Sequence, residues 1–263
     1  MSDSGLCANC DRAIDGADQT FCPACGQPTP AHRIDWHFLG HEIEHSVLHM
    51  DRGLLYTLKN LMIRPGHLIR DYIDGRRAHH VKPLLLIMIT AAAVVFLSRF
   101  VIGSEVMGGN LFRAGGGADA GGTADPARIL EVVNAVNRWM SHHFAAVTLL
   151  LLPLEAAAFK LAFWRCRNLN YPEWLVITAF LTAQTFVLWG LSIPVQRWYP
   201  GAAGWMLWLS IAYGVFSMVQ LFATLPRWNS ALRAILGYVL YLLINMALLS
   251  VLVIVVLVVS GRT

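Results

Sequence analysis

The sequence predicts an all-α membrane protein with about five transmembrane helices, and three observations predict it. Of 263 residues, 56% are hydrophobic and 14% charged, against roughly 45–50% and 25% in soluble domains. Mean hydropathy is +0.53, too high for polar groups to solvate a globular surface. Five apolar stretches, at 84–102, 143–164, 174–195, 203–225 and 232–259, each come near the ~20 residues a spanning helix needs. A wholly soluble enzyme, a disordered scaffold and a basic protein coating nucleic acid are disfavoured by the same figures.

Composition divides the chain into residues 1–31, 32–82 and 83–263. The first holds four of the five cysteines, the second most of the histidines and a basic stretch, and neither has an apolar run that could cross a bilayer. No charged n-region followed by an apolar h-region opens the chain, so the amino terminus is expected to stay in the cytoplasm. Pro83 suits the first turn of the first span, and Pro172, Pro200 and Pro226 mark later boundaries. Trp139, Trp164, Trp174, Trp198, Trp205 and Trp228 fall near span ends, as an aromatic belt requires. With the amino terminus inside, fourteen of twenty Lys and Arg collect on the cytoplasmic side. The positive-inside rule therefore gives an inner-membrane, multi-pass protein with its carboxyl terminus outside. It also puts the 103–142 loop outside, where a tract of Gly115, Gly116, Gly117, Gly121 and Gly122 reads as flexible linker, followed by a helical pattern from Asp125 toward Trp139. Five spans cannot form two equal inverted halves, which weakens a repeat-built transporter.

The sharpest motif is Cys7-Ala-Asn-Cys10, eleven residues, then Cys22-Pro-Ala-Cys25-Gly26. Each CxxC presents two thiolates on one tight turn, and four thiolates at ~2.3 Å close a tetrahedral shell around Zn2+ with no position open for water. The spacing predicts a structural zinc ribbon at residues 1–31 with Cys7, Cys10, Cys22 and Cys25 as ligands, and Gly26 supplies a positive φ. A cytoplasmic setting keeps thiols reduced, against disulfides, and redox chemistry would need one CxxC beside a βαβ pattern. With Arg12 alone set against Asp3, Asp11, Asp15 and Asp18, the ribbon has net charge −3. It would repel phosphate, so a protein partner is expected and no nucleic acid. Cys166, alone among Arg165 and Arg167, reads as an inert thiol.

His41-Glu42-Ile43-Glu44-His45 matches HExxH, which on a helix sets two imidazoles one turn apart beside a glutamate able to activate zinc-bound water. His37 and His49 extend the series at four-residue steps. At 100° per residue, however, Trp36, Leu39, Ile43, Val47 and Met50 form one apolar stripe and the histidines gather opposite. That pattern describes a surface helix, with adventitious metal or a peptidase as alternatives.

Residues 52–82 carry seven basic residues against Asp71 and Asp74, net +5. Leu54, Leu55, Leu58, Leu61 and Met62, then Leu68, Ile69, Tyr72 and Ile73 after the Pro65-Gly66 break, predict two short amphipathic helices on an anionic leaflet, with topology signal alone as the other reading. Within the second span, Glu155 would cost several kcal/mol if ionised and unpaired. Gln184, Gln220 or Asn245 are its expected partners, and its role is either interhelical glue or transport.

The paired CxxC ending Cys22-Pro23-Ala24-Cys25-Gly26-Gln27, then Asp51-Arg52-Gly53-Leu54-Leu55, Thr57-Leu58, Arg64-Pro65-Gly66, Tyr72, Gly75-Arg76-Arg77 and Pro83, resembles an uncharacterised bacterial family of zinc-ribbon membrane proteins catalogued as a domain of unknown function. The resemblance continues through Pro153-Leu154, Lys160 and Tyr171-Pro172-Glu173, with Trp174 where the family tends to place histidine. It implies a cytoplasmic ribbon on a helical membrane domain with no established activity and no histidine pair at 41 and 45. The whole reading is a helical membrane domain preceded by a small zinc ribbon and amphipathic interfacial helices. Its expected role is a non-enzymatic adaptor or regulator whose ribbon binds a protein. The alternatives are a small transporter or permease component using Glu155, and a membrane metallopeptidase using His41, Glu42 and His45.

Overall fold

Proline, glycine and asparagine cut the apolar sequence into helices and set where each begins. The computed structural model describes residues 5–14, 19–45, 53–103, 126–164, 166, 168–199 and 201–260, apart from the side chains of 41–45, 126–130, 203 and 260. In chain order the helices are α1 (Trp36–His45), α2 (Gly53–Ile63), α3 (Pro65–Ile73), α4 (Pro83–Leu97), α5 (Pro126–His142), α6 (Phe144–Ala162), α7 (Tyr171–Gln196), α8 (Ala202–Leu221) and α9 (Arg227–Ser260). A π-helical turn, Ser98–Ile102, continues α4. Among the described residues the only β-pairing is two isolated bridges near the amino terminus.

The fold class is the expected one. Five helices are long and apolar enough to cross a membrane: Pro83–Ile102, Phe144–Ala162, Tyr171–Gln196, Gly204–Leu221 and Arg227–Val259. Their ends depart from the hydropathy boundaries for local reasons. Pro83 occupies the first turn of α4, where its missing N–H costs nothing. α7 starts three residues early because Asn170 and Glu173 form a reciprocal capping box, Glu173 N–H to Asn170 Oδ1 at 2.9 Å and Asn170 N–H to Glu173 Oε2 at 2.7 Å. The π turn ends at left-handed Gly103 (φ 72°). Arg197 Nη1 then donates to the Val101 carbonyl across 2.7 Å, satisfying one helix-end acceptor. At 34 residues α9 is about 51 Å long, more than a ~30 Å hydrocarbon core requires.

α7 is the axis of the bundle, with α4, α6 and α8 around it and α9 against α6 and α8. Buried residues make up 67% of the most apolar window of α7 and 6% of that of α9, so α9 leaves its Leu, Ile and Val side chains for lipid. Ring pairs of Phe163 with Phe222 at 4.5 Å and of Trp174 with Phe222 at 5.9 Å close the ends of α6, α7 and α8. This corrects one belt assignment. Trp174 is buried in that stack, whereas Trp139, Trp164, Trp198, Trp205 and Trp228 are exposed.

In the basic segment the apolar face of α3, with Leu68, Ile69 and Tyr72, is buried against α7 and α8. Gly66 makes this possible: a Cβ there would stand 2.4 Å from the Leu221 nitrogen and 2.5 Å from the Ser217 oxygen. The Gly66 N–H donates to Gln220 Oε1 at 3.2 Å. Arg70 donates to the Gln220 carbonyl at 2.9 Å and to the Leu221 carbonyl, acceptors that the end of α8 leaves free. α2 keeps Leu55, Tyr56, Lys59 and Ile63 exposed on one face. The glycine tract 115–122 lies outside the described residues, while α5 falls where the helical pattern after Asp125 predicts it.

Candidate functional site

Two hairpin knuckles build the cysteine cluster, and they are made alike. In the first, Cys7 N–H donates to Arg12 O at 2.8 Å and Asp11 N–H to Cys7 O at 2.9 Å. In the second, Cys22 N–H donates to Gln27 O at 2.8 Å and Gly26 N–H to Cys22 O at 2.9 Å. The residue after each second cysteine is left-handed, Gly26 at φ 71° and Asp11 at φ 56°. Asp is one of the few side chains that visit this region. The bridges Leu6–Ala13 and Phe21–Pro28 close the two hairpins. Sequence reasoning found the role of Gly26 and missed that of Asp11, whose signal is its matching place after a CxxC.

Folding back to back, the knuckles bring all four Sγ atoms within 4.8 Å of one another. Cys7–Cys25 and Cys10–Cys22 stand at 3.6 Å. Four sulfurs each ~2.3 Å from one central ion would be about 3.8 Å apart, so the cluster could hold a metal ion, and all four cysteines are free thiols. Backbone N–H donation, first at Ala24 and then at Cys25, outweighs desolvation and pulls the Cys22 thiol down to about 6. At Cys10 the Arg12 backbone pulls downward, but desolvation and the thiols of Cys22, Cys25 and Cys7 push it up to about 12. Cys166 stands apart and half-buried, while Arg165, Arg167, Asp3, Asp15 and Asp18 lie outside the described residues.

This metal-site unit is seated on the helices. Arg33 grips buried Glu173 with Nε to Oε1 at 2.7 Å and Nη2 to Oε2 at 2.9 Å, and Nη2 reaches Asn168 O at 2.5 Å. The hydrogen bond to Glu173 is the main reason the Arg33 pKa is raised. Asn170 Nδ2 donates to Ile34 O at 2.7 Å, beside a fully buried Ile34. On the other flank, Arg77 N–H donates to buried Gln27 Oε1 at 3.1 Å, and the Arg77 guanidinium lies 4.4 Å from the Phe38 ring. Left-handed Gly75 (φ 97°) faces the Ala31 methyl, which a Cβ would meet at 3.2 Å. Sequence analysis gave Glu173 no such role, although Asn170-x-x-Glu173 is a readable capping box.

Of the HExxH, the helix is present and the chemistry lies outside the described residues. α1 places positions 41 and 45 one turn apart, but the side chains of 41–45 and the whole of His49, Val47 and Met50 are not among those described. Leu39 is buried and His37 exposed, as the stripe requires. Trp36 departs from it, exposed and 5.7 Å from the Tyr171 ring. Among the described residues the cysteine quartet is the one group of three or more metal-ligating side chains.

Glu155 is buried, and its partner is one that sequence reasoning did not offer: Thr182 Oγ1 donates to Oε2 at 3.0 Å. The expected candidates do not reach it. Gln184 accepts from Ser217 at 3.0 Å while its Nε2 finds no partner among the described residues, Gln220 holds Gly66, and Asn245 donates to Tyr241 O at 2.8 Å. Lys160 turns away, its Nζ 5.6 Å from the Tyr171 ring. Glu155 opens on a cavity of about 250 Å³ among α5 to α9.

Residues 51–95 match the family model described as "Protein of unknown function (DUF3667)". The match spans α2, α3 and most of α4, the segment in which Thr57 bridges Gly53 O and Val81 N and in which Gly66 and Arg70 bind the end of α8. No curated protein and no solved structure matches the chain.

Proposed function

We propose that this chain is a non-enzymatic adaptor or regulator of a bacterial inner membrane, whose cytoplasmic ribbon, folded around Zn2+, binds a protein partner at the membrane surface. The observation that carries the reading is the pair Leu6 and Phe21. They occupy equivalent positions, each just before the first cysteine of a knuckle, and they are 46% and 59% exposed while the opposite flank is taken up by Arg77, Ala31 and Arg33. Large apolar side chains held outward on a rigid scaffold are the usual anchors of protein interfaces. Zn2+ is the ion because four soft thiolates at tetrahedral spacing suit it and leave no open position for chemistry. The positive-inside count supports a cytoplasmic amino terminus and an external carboxyl terminus. The outward face of α2, with Leu55, Tyr56, Lys59 and Ile63, and exposed Arg64 and Arg76 suit contact with anionic lipid.

A photoreactive phenylalanine at position 21, activated in intact membranes, tests the partner reading. It is expected to give one discrete protein adduct that disappears with Cys22→Ser and Cys25→Ser. Adducts with lipid only, or a pattern unchanged by the cysteine variants, would sink it.

A further inference from the structure

The cavity beside Glu155 has the make-up of a ligand site. Its wall is mostly apolar, with aromatic rings from Phe144, Phe186, Trp189, Tyr238 and Tyr241, and no Lys, Arg or His lines it. The carboxyl group thus faces an apolar space with one hydroxyl, Thr182, as its only hydrogen-bond partner among the described residues. Two further buried polar atoms on the same wall, Trp189 Nε1 and Ser210 Oγ, have no hydrogen-bond partner among the described residues. Buried polar groups left unpaired in this way need an occupant. An ionised carboxylate in a span is stable only when paired, and among the described residues that line the cavity there is no cation.

We propose that this cavity binds a lipophilic ammonium ion, its charge against Glu155 and the aromatic rings and its apolar part in the remaining space. A hard metal cation would need about six oxygen ligands. The mostly apolar wall offers Glu155 as its one charged ligand among the described residues. An ammonium carrying apolar groups needs no such shell and gains from ring faces as well as from the carboxylate. Size agrees: a cavity of about 150 Å³ takes up benzene, so about 250 Å³ accommodates one ring with a substituted ammonium. Direction agrees as well. Thr182 and Trp189 are seven residues apart on α7, about 10 Å along the helix, so the charge lies deep. The indole N–H lies nearer the end capped by Met140 and Ser141, where it can meet an acceptor on the ligand.

The test uses the full-length protein in nanodiscs of zwitterionic lipid and radiolabelled benzyltrimethylammonium, whose fixed charge removes any pH ambiguity. Neopentylbenzene is its neutral isostere. Saturable binding is expected, weakened about tenfold or more by Glu155→Gln, retained by Thr182→Val, abolished by the cavity-filling Ser210→Trp, and not displaced by neopentylbenzene at matched concentration. Absence of saturable binding would overturn the proposal and leave Glu155 as a hydrogen-bonded contact between α6 and α7. Equal binding to Glu155→Gln, or equal displacement by the neutral isostere, would overturn the recognition of charge. An unfolding temperature of Glu155→Gln equal to that of the unaltered protein would separate lost binding from lost fold, and Ser210→Trp reports on the cavity independently if Glu155→Gln proves unstable.

Discussion

At Glu173 one carboxylate does two jobs: it receives the Asn170 N–H in the capping box of α7 and it binds Arg33. Arg33→Gln removes the ion pair and the Nη2 bond to the Asn168 carbonyl but leaves the cap of α7 in place. Because Arg33 is half exposed and Glu173 buried, the loss falls between the ~1 kcal/mol of a surface pair and the ~3–5 kcal/mol of a buried one. Glu173→Gln loses that and part of the cap, a further ~0.5–1 kcal/mol. Thermal unfolding of the two single variants and the double variant is expected to show that the losses are not additive, and additive losses would mean that the two side chains do not cooperate. His80 gives a pH dependence. Burial foremost lowers its pKa, with His79 and Arg64 acting the same way and Asp71 opposing. The folded chain then holds fewer protons at this site than the unfolded chain does, so His80's contribution is complete above about 6.5. It is lost as pH falls from there through the lower folded-state value. His80→Gln should flatten the stability profile in that window, and an unchanged profile would exclude His80 as its source.

The junction between α3 and α8 depends on atoms that are absent. Gly66→Ala puts a methyl group 2.4 Å from a backbone nitrogen and 2.5 Å from a backbone oxygen, neither of which can rotate away. Overpacking of this kind costs about 1–3 kcal/mol, read as a lower unfolding temperature, and Gly66→Ser should be no better. Arg70→Met, by contrast, leaves the carbonyls of Gln220 and Leu221 without their donor and should fray α8 at that end, visible as faster amide exchange there. This junction was not legible in the sequence. Periodicity showed that α3 has an apolar face, but an apolar face fits lipid and protein equally well. What decides between them is a glycine whose need for close approach appears only when α8 is beside it. The spans were legible because twenty consecutive apolar residues have few other uses, whereas the capping box before α7 was written in the chain and passed over for hydropathy.

For the molecule as a whole, the amino-terminal unit and the bundle draw their stability from different sources. Among its described residues the unit at 1–31 buries Cys7, Cys22 and Gln27, too small a core to fold on, so on the proposed reading its folding would come largely from a metal ion, worth ~10–16 kcal/mol in comparable small units. The bundle rests on a buried core running through α4, α6, α7 and α8. That the four cysteines would come together could be read from spacing alone, because CxxC fixes the local turn. The docking could not, since Arg33 and Glu173 are separated by 140 residues and no local pattern links them. That independence makes an asymmetric prediction about chelation. Stripping the metal from protein in nanodiscs should leave helical circular dichroism nearly unchanged, because α4 and α6 to α9 contain no ligand. Protease should then cut between residues 5 and 34, where the metal-loaded protein resists. Arg33→Gln should reach partial sensitivity with metal still bound, since the ribbon is then folded but less firmly seated. Loss of helical signal on chelation would instead mean that the bundle needs the ribbon to fold, and resistance to protease without metal would mean that the seat on Glu173, Asn170 and Arg77 holds the ribbon unaided.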